Sequence, residues 1–307
     1  MPVTAALLSA QRARFAALDP LLPPAAPPPA GEELAAATAD GAQVSGVVQI
    51  QRCEPGTFDL LWSAAQTWQL FPCVGGTGTA GMDALLRAWR RRMDRESPGA
   101  DSSCTVTWPS RDAEAVRAFL DHGLVPMSVL AVRTAQPVGY PPPPGVTIRR
   151  AWPEDLEEVV ALSVTTFRYS GLVAGPWRPG TSELITPRLE RNLAAGAPIW
   201  LAERDGVAVA LADCGWVESV PGSWAAEVLP LGQWGYVNNV ATAGHARGEG
   251  IGRALMAQVH REFHDRGAHA TYLYYNPANP LSSVFWPRQG YRPVWSYWEV
   301  RPASALR

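Results

Sequence analysis

One segment organises the sequence: Tyr236-Val-Asn-Asn-Val-Ala-Thr-Ala-Gly-His-Ala-Arg-Gly-Glu-Gly-Ile-Gly-Arg-Ala-Leu255. It begins with apolar and β-branched residues, which are typical of a strand. A break at Gly244 leads into the glycine-rich segment Arg247–Gly252. From Ile251 onward, apolar residues recur every fourth position, which predicts one face of a helix. The segment therefore predicts a strand, a glycine loop and a helix in direct succession.

The glycine loop is suited to bind an anion. The first backbone N–H groups of a helix lack intrahelical partners and lie at the positive end of its dipole. Glycines let the backbone approach a bulky phosphate because they carry no Cβ. The loop has no lysine, which excludes a GxxxxGK[ST] phosphate loop, and Arg253 replaces the last glycine of a GxGxxG dinucleotide motif. The pattern that fits is Arg-x-x-Gly-x-Gly, from Arg247 to Gly252.

This pattern resembles the acetyl-CoA pyrophosphate loop of the GCN5-related N-acetyltransferases (GNAT). From Val146 onward, the predicted order of one strand, two helices, three strands, a helix, a strand, a helix and a strand is also similar to that family. The resemblance implies an α/β fold with a mixed, mostly antiparallel sheet flanked by helices. It also implies acetyl-CoA as co-substrate, no metal, and direct attack of a primary amine on the thioester in a ternary complex.

A second, degenerate copy of this unit is predicted in the N-terminal half. Gly123-Leu-Val-Pro126 and Gly290-Tyr-Arg-Pro293 each precede a strand that ends in Val-Arg, and the two glycines are 167 positions apart. A similar step back from the Arg247–Gly252 loop reaches Gly75–Gly81, which has glycines but no arginine. We therefore predict two tandem GNAT-like domains, the first mainly structural. The predicted parts are the degenerate domain over 1–133, a Pro-rich linker over 134–145 and the catalytic domain over 146–307.

The resemblance also assigns CoA-binding residues by position. In the family, the end of the central strand binds the pantetheine arm through its backbone, and the glycine loop binds the pyrophosphate. An asparagine after the next strand often lies near the CoA arm. The corresponding residues here are Val240, Ala241, Thr242, Arg247, Gly248, Gly250, Ile251, Gly252, Arg253, Asn276 and Asn279.

Two catalytic positions depart from the family pattern. Members often have a tyrosine that protonates the leaving thiolate; this sequence has Trp286, whose indole N–H donates a hydrogen bond but is no practical acid near pH 7. Many members have a glutamate base on the central strand, where this sequence has Asn238. Replacements for the acid are Tyr274, Tyr275 and Tyr291, and a base would come from Glu218, Asp213, Glu227 or a chain of waters. The predicted catalytic set is Asn238, Tyr275, Trp286 and Glu218.

The acceptor site is predicted in Phe167–Gly180, a segment that breaks helical periodicity. In the family, the corresponding loop lines the acceptor site. Its candidate residues here are Phe167, Tyr169, Trp177 and Arg178. Such a wall favours an acceptor with an apolar, aromatic or cationic part, although a hydrophobic lid that only packs explains the same residues equally well. The expected acceptor is a small-molecule or peptide amine.

Other function classes remain open. The missing tyrosine and glutamate leave a non-catalytic acyl-CoA-binding or regulatory protein as the main alternative. A literal GxGxxG at Gly76, Gly78 and Gly81 suggests a nucleotide-dependent dehydrogenase, but no second parallel strand ending in an acid follows promptly. His260 and His264 have the spacing of metal ligands, but polar neighbours indicate a solvated helix face.

Composition limits the partners and the compartment. The net charge of −2 gives no general attraction to nucleic acid or anionic membranes, and no apolar run approaches the ~20 residues of a membrane span. The cysteines are dispersed without a CxxC pair, which fits a reducing cytoplasm. All 26 basic residues are arginine, which suggests a GC-rich bacterial genome. We expect a bacterial cytoplasmic monomer or homodimer that binds neither nucleic acid nor membrane.

Local patterns complete the expected fold. Residues 58–62 are expected to form a strand. Arg204-Asp-Gly206 predicts a hairpin between strands over 198–203 and 207–216.

Overall fold

The computed structural model describes residues 3–173 and 178–307. Its helices there are α1 (Ala5–Leu18), α2 (Gly78–Met93), α3 (Ala113–Asp121), α4 (Leu156–Gly171), α5 (Thr181–Ala194), α6 (Trp224–Val228), α7 (Ile251–Asp265) and α8 (Ser282–Arg288). Its strands there are β1 (Glu32–Ala37), β2 (Gln43–Arg52), β3 (Gln66–Cys73), β4 (Ser102–Pro109), β5 (Val125–Arg133), β6 (Val146–Arg150), β7 (Ile199–Arg204), β8 (Val207–Ser219), β9 (Gly232–Thr242), β10 (Ala270–Tyr275) and β11 (Arg292–Val300). Across the two described ranges, no helix has both the length and the apolar character needed to cross a membrane.

The chain forms two compact units that are not contiguous in sequence. Unit 1 contains the chain up to Val129 together with Pro221–Pro230 and Pro293–Arg307, and unit 2 contains Leu130–Val220 and Leu231–Arg292. These spatial units differ from the sequence copies 1–133 and 146–307 because β11 belongs to unit 1. The boundaries of the sequence copies and of the linker at 134–145 stay a prediction.

In unit 1, the strand order is β1-β2-β3-β4-β11. The neighbours are antiparallel except for β3 and β4, which are parallel from Gln66–Ser102 to Leu70–Val106. Parallel neighbours need a crossover connection, and α2 supplies it. The fully buried Trp89 lies on this helix. The last strand, β11, completes the sheet by pairing with β4.

In unit 2, the order is β6-β7-β8-β9-β10, with β9 and β10 as the parallel pair and α7 as the crossover. Leu255, Val259 and Phe263 of α7 pack into one core with residues of the sheet. A Cβ on Gly235 would lie only 2.5 Å from a ring atom of Phe263, so this close packing requires glycine. Each unit is thus a mixed, mostly antiparallel sheet flanked by helices, which confirms the predicted fold class.

Two local predictions are wrong. Residues 58–62 contain a 3-10 turn, Phe58–Leu61, because the N–H groups of Trp62 and Ser63 bond locally to the carbonyl of Asp59. Helix α4 continues through Phe167 to Gly171, so the break predicted at Phe167 falls too early. The hairpin about Arg204–Gly206 is confirmed: Arg204 pairs with Val207 across two residues of positive φ.

Candidate active site

The carboxyl end of β9 has an open edge. Its parallel pairing with β10 ends at Val237–Leu273, whereas its antiparallel pairing with β8 continues to Thr242–Ala210. Among the described residues, Asn239 to Thr242 therefore have a strand partner on β8 alone, and Asn238 is paired with neither β8 nor β10. An exposed strand edge offers main-chain N–H and C=O groups to an extended ligand.

This open edge begins at a β-bulge. The register between β8 and β9 pairs Asp213 with Asn239 but Cys214 with Val237, which leaves Asn238 as the extra residue. A bulge bends its strand and ends regular pairing, and bulges are frequent beside active sites. The separation of β9 from β10 at this point follows from the bulge.

Four polar side chains, here named the bulge cluster, hold the bulge in place: Tyr236, Asn238, Asp213 and Arg188. The amide of Asn238 donates to Asp213 (2.5 Å) and accepts from the hydroxyl of Tyr236 (2.9 Å). Arg188 donates to the same carboxylate oxygen at 2.6 Å. Asp213 is 1% exposed, and its second oxygen has no hydrogen-bond partner in the described part of the chain. The Asn238 side chain is thus held by hydrogen bonds from both of its ends, and an amide exchanges no proton near neutral pH.

The glycine loop follows the open edge directly. Gly248 and Gly250 have φ values of 84° and 87°, a region that glycine occupies without a steric penalty. Helix α7 begins immediately afterwards at Ile251. The Arg247 side chain donates back to the carbonyl of Thr242 at 3.0 Å. The strand end and the helix N-terminus are thereby joined into one surface that offers main-chain groups and a positive dipole.

Two arginines flank the loop, and each lies over an aromatic ring. Arg247 is 5.6 Å from the ring centre of Tyr169, and Arg253 is 4.1 Å from that of Tyr140. The hydroxyl of Tyr140 lies 3.0 Å from where a Cβ on Gly250 would stand. Sequence reasoning missed Tyr140 because it treated residues 134–145 only as a linker. An isolated aromatic residue between prolines is the pattern that could have revealed it.

The predicted catalytic residues are only partly brought together. Asn238 and Tyr275 lie near the carboxyl ends of the parallel strands β9 and β10. Glu218 is exposed and pairs with Gln233, roughly 16 Å along β9 from Asn238 at about 3.3 Å per residue. Trp286 is 7% exposed and packs edge-on against Phe285 and Tyr291. The structure thus places Glu218 away from the open edge and Trp286 within the core.

The candidate acids differ in their surroundings. Tyr275 is half-buried, and desolvation raises the pKa of its hydroxyl. The Tyr291 hydroxyl is buried against His260 (3.0 Å) and Thr271 (2.9 Å), and desolvation raises its pKa strongly. The Tyr291 hydroxyl is therefore part of the buried core. Of these two tyrosines, Tyr275 is better placed to act as the acid.

Acidification is expected to destabilise the protein through His260. His260 is 4% exposed, so the solvated helix face expected for it is wrong, and this burial lowers the pKa of its imidazole from 6.5 to about 3. Between those values the unfolded chain binds a proton that the folded chain does not, so stability is complete above pH 6.5 and falls as the pH falls. From pH 7 to pH 5 the loss is about 2 kcal/mol. Denaturant unfolding at both pH values should show this loss reduced in His260→Gln; equal losses in both proteins would contradict it.

The predicted asparagines shape the turn before α8. The Asn279 side chain accepts hydrogen bonds from the N–H groups of Leu281 and Ser282, and that of Asn276 accepts one from Ala278. Both side-chain oxygens therefore stabilise local structure, and their contact with CoA stays a prediction. Of the predicted acceptor residues, Phe167 and Tyr169 lie on α4, Arg178 precedes α5, and Trp177 lies outside the described residues.

The buried thiols are poor nucleophiles. Burial raises the pKa of Cys73 to about 11 and of Cys104 to about 12, and it also raises that of Cys214. These groups are protonated at neutral pH, which disfavours a covalent thioester intermediate on them. Within the described ranges, no three His, Cys, Asp or Glu side chains converge to hold a metal ion.

Part of the chain matches a known family model. Residues 195–293 match the family model described as the acetyltransferase (GNAT) domain, and this segment includes β9, the glycine loop, α7 and α8. The match of residues 195–293 to the GNAT domain agrees with the resemblance described in the sequence analysis. A comparison with curated proteins gave no match.

Several solved structures match the chain over different lengths. A GCN5-related N-acetyltransferase from Sphaerobacter thermophilus is 17% identical, with a TM-score of 0.55 over 89% of this chain and 82% of that one. A predicted acetyltransferase with acetyl-CoA from Clostridium acetobutylicum is 21% identical, with a TM-score of 0.39 over 48% and 91%. A tandem GNAT protein from the clavulanic acid biosynthesis pathway is 13% identical, with a TM-score of 0.48 over 98% and 97%. The first, with a TM-score above 0.5, supports a shared fold over most of the chain.

Proposed function

We propose that the chain is an acetyl-CoA-dependent N-acetyltransferase whose active site lies in unit 2. The observation that carries this proposal is the open edge of β9 from Asn238 to Thr242, which runs directly into the Arg247–Gly252 loop at the start of α7. The amides of a pantetheine arm are chemically suited to a free strand edge. A pyrophosphate is suited to a helix N-terminus with two arginines beside it.

Each predicted CoA residue has a role in this proposal. The main chain of Val240, Ala241 and Thr242 would bind the pantetheine amides, and the N–H groups of the glycine loop would bind the pyrophosphate. Arg247 and Arg253 supply positive charge at the two sides of the loop. Asn276 and Asn279 lie in the turn after β10, where they would contact the CoA arm.

The proposed reaction is a direct acyl transfer. A neutral amine nitrogen attacks the thioester carbonyl, a C–N bond forms, and the C–S bond then breaks. The amine loses one proton and the thiolate gains one, so the reaction needs no oxidant and no metal. A strand N–H at the bulge would polarise the carbonyl. Tyr275 would protonate the thiolate, because its raised pKa keeps the hydroxyl protonated at neutral pH. Water would accept the proton from the amine.

The acceptor would enter near the end of α4. Phe167 and Tyr169 lie there, and Arg178 follows the segment outside the described residues. Aromatic side chains favour an acceptor amine with an apolar or aromatic part, either a small molecule or a peptide. The dispersed cysteines fit a reducing cytoplasm, and the lysine-free composition fits a GC-rich bacterial genome. The proposed protein is therefore bacterial and cytoplasmic, and we expect a monomer or homodimer.

Release of free thiol from acetyl-CoA in the presence of a panel of amines tests the proposal. An enzyme should release thiol only when a suitable amine is present, and Tyr275→Phe should lower kcat without raising the dissociation constant for acetyl-CoA. Tight acetyl-CoA binding without amine-dependent release across the panel would favour the acyl-CoA-binding or regulatory protein. The buried Trp286 at the usual acid position is the observation that supports that second candidate. Binding of NAD without binding of acetyl-CoA would contradict both.

Tyr140 is expected to support CoA binding. Tyr140→Ala should raise the KM for acetyl-CoA about tenfold with little change in kcat, because Arg253 loses the ring on which it lies. Tyr140→Phe keeps the ring and is the matched control, so it should bind nearly as well as the wild type. A decrease in kcat at constant KM in Tyr140→Ala would assign the residue to catalysis instead. Equal KM values for all three proteins would contradict the role.

A further inference from the structure

The side chain of Gln11, on α1, is bound to the carboxyl end of β3 in unit 1. It is 5% exposed. Its Nε2 donates to the carbonyl of Pro72 at 2.8 Å, and its Oε1 accepts from the N–H groups of Val74 (2.8 Å) and Gly75 (3.3 Å). A carboxamide that bonds a carbonyl and the N–H two residues later imitates the main-chain N–H and C=O of one residue in a neighbouring parallel strand. Gln11 thus provides hydrogen-bond partners for main-chain groups at the end of β3 that would otherwise be open to a strand or an extended ligand.

This strand end corresponds to the open edge of β9 in unit 2. In both units, a glycine loop and a helix connect two parallel strands, which are β3 and β4 in one and β9 and β10 in the other. In both, the parallel pairing stops before the first strand ends, at Leu70 in β3 and at Val237 in β9. Gln11 therefore occupies the place where unit 2 presents the main chain of residues 240–242.

Helix α1 also lies directly on the glycine loop of unit 1. A Cβ on Gly75 would stand 2.9 Å from a methyl carbon of Leu7 and 3.2 Å from the Cβ of Ala10. Phe15, one turn beyond Gln11, packs edge-on against Trp108 with ring centres 5.3 Å apart. Residues along the whole helix thus fix it over the loop, so a bulky ligand there would have to displace α1.

A carboxylate lies beside the N-terminus of α2, where a phosphate would bind. Gly78 is the first residue of α2, and a Cβ on it would lie 2.7 Å from a carboxylate oxygen of Glu114. Arg14 of α1 donates to that oxygen at 2.8 Å and to Asp112 at 2.6 Å. The anion beside the N-terminus of α2 is therefore the Glu114 carboxylate of the protein itself. A pyrophosphate would meet its negative charge as well as the bulk of α1.

We propose that α1 is a built-in occupant of the CoA cleft of unit 1, so that the chain binds one acetyl-CoA, in unit 2. Gln11 stands in for a pantetheine amide and Glu114 for the pyrophosphate. The stoichiometric part of this inference rests on the proposed function, since it takes unit 2 as the acetyl-CoA site. Unit 1 is then a structural copy whose ligand has become a segment of its own chain.

Calorimetric titration of the full chain with acetyl-CoA tests the stoichiometry, with Gly250→Leu as the comparison. The expected values are one site in the wild type and none in the variant. Two sites in the wild type and one in the variant would overturn the inference but leave the proposed function standing. One site in both proteins would place acetyl-CoA in unit 1 and overturn both. No binding in either would support the exclusion from unit 1 and overturn the proposed function.

Hydrogen exchange tests the occupant directly. Peptides covering 5–18 and 72–78 should exchange equally slowly with and without acetyl-CoA, while exchange in 240–253 should slow when it is added. Faster exchange in 5–18 on adding acetyl-CoA would show that the ligand displaces α1 and would overturn the inference.

Gln11→Ala leaves three buried main-chain groups without partners and should lower Tm by roughly 5 °C, whereas Ser9→Ala on the exposed face of α1 should not. If Gln11→Ala had the same Tm as the wild type, the inference that α1 occupies the cleft of unit 1 would also be overturned.

Discussion

Replacing Gly250 by leucine is expected to weaken acetyl-CoA binding at least about 100-fold, or ~2.7 kcal/mol. Gly250 has a φ of 87°, which a leucine adopts only with strain. Its Cβ would also stand 3.0 Å from the hydroxyl of Tyr140. Either the loop or Tyr140 must move, and the N–H groups at the start of α7 then lose their common direction. Calorimetric titration with acetyl-CoA measures the change.

Gly267→Leu is the matched control for this prediction. Gly267 has a φ of 82°, lies just beyond the other end of α7, and has no atom within 4 Å of its added Cβ. The two variants therefore share the backbone strain but differ in their distance from the loop. Gly267→Leu should lose stability and keep its affinity for acetyl-CoA. An equal loss of affinity in both variants would mean that strain alone explains the result, and our placement of the site would be wrong.

The second large effect is expected at Arg188. Arg188→Met should destabilise the protein by about 3 kcal/mol, because it leaves the carboxylate of Asp213 buried without its cation. The Asn238 bulge depends on that carboxylate, so a loss of amine-dependent thiol release should accompany the loss of stability. Denaturant unfolding measures the first effect, and the thiol-release assay measures the second.

A double variant separates charge burial from packing. Adding Asp213→Asn to Arg188→Met removes the uncompensated charge while it keeps the size of the side chain. The double variant should therefore be more stable than Arg188→Met alone. If the second substitution destabilises further, Asp213 is not stabilised by Arg188 through charge, and our account of the bulge cluster fails.

The parts of the fold that could be predicted are those with a local chemical cause. Glycines in the Arg247–Gly252 loop follow from the positive φ of Gly248 and Gly250, and the four-residue spacing from Ile251 follows from a helix with one buried face. The hairpin at Asp205-Gly206 likewise follows from two adjacent residues that adopt positive φ values. In each case, residues next to one another in sequence determine the structure.

The features of the fold and the site that could not be predicted depend on contacts between segments that are distant in the sequence. The bulge at Asn238 requires Asp213, which is 25 positions away in the chain, and the occupancy of the first glycine loop requires Gln11, which is 63 positions from Val74. Trp286 was expected at the site because its position matches a family tyrosine, but burial against Tyr291 decides its actual surroundings. No single-sequence pattern encodes such pairings.

The placement of β11 has a consequence for the order in which the protein forms during synthesis. The chain crosses into unit 2 at Leu130, and unit 2 is complete once Arg292 has been made. Strand β4 gains its antiparallel partner only when β11 follows, so the half of the chain made first is the half that finishes folding last. Until β11 has been made, the edge of β4 that pairs with it is exposed on the ribosome. A chaperone would bind this exposed edge.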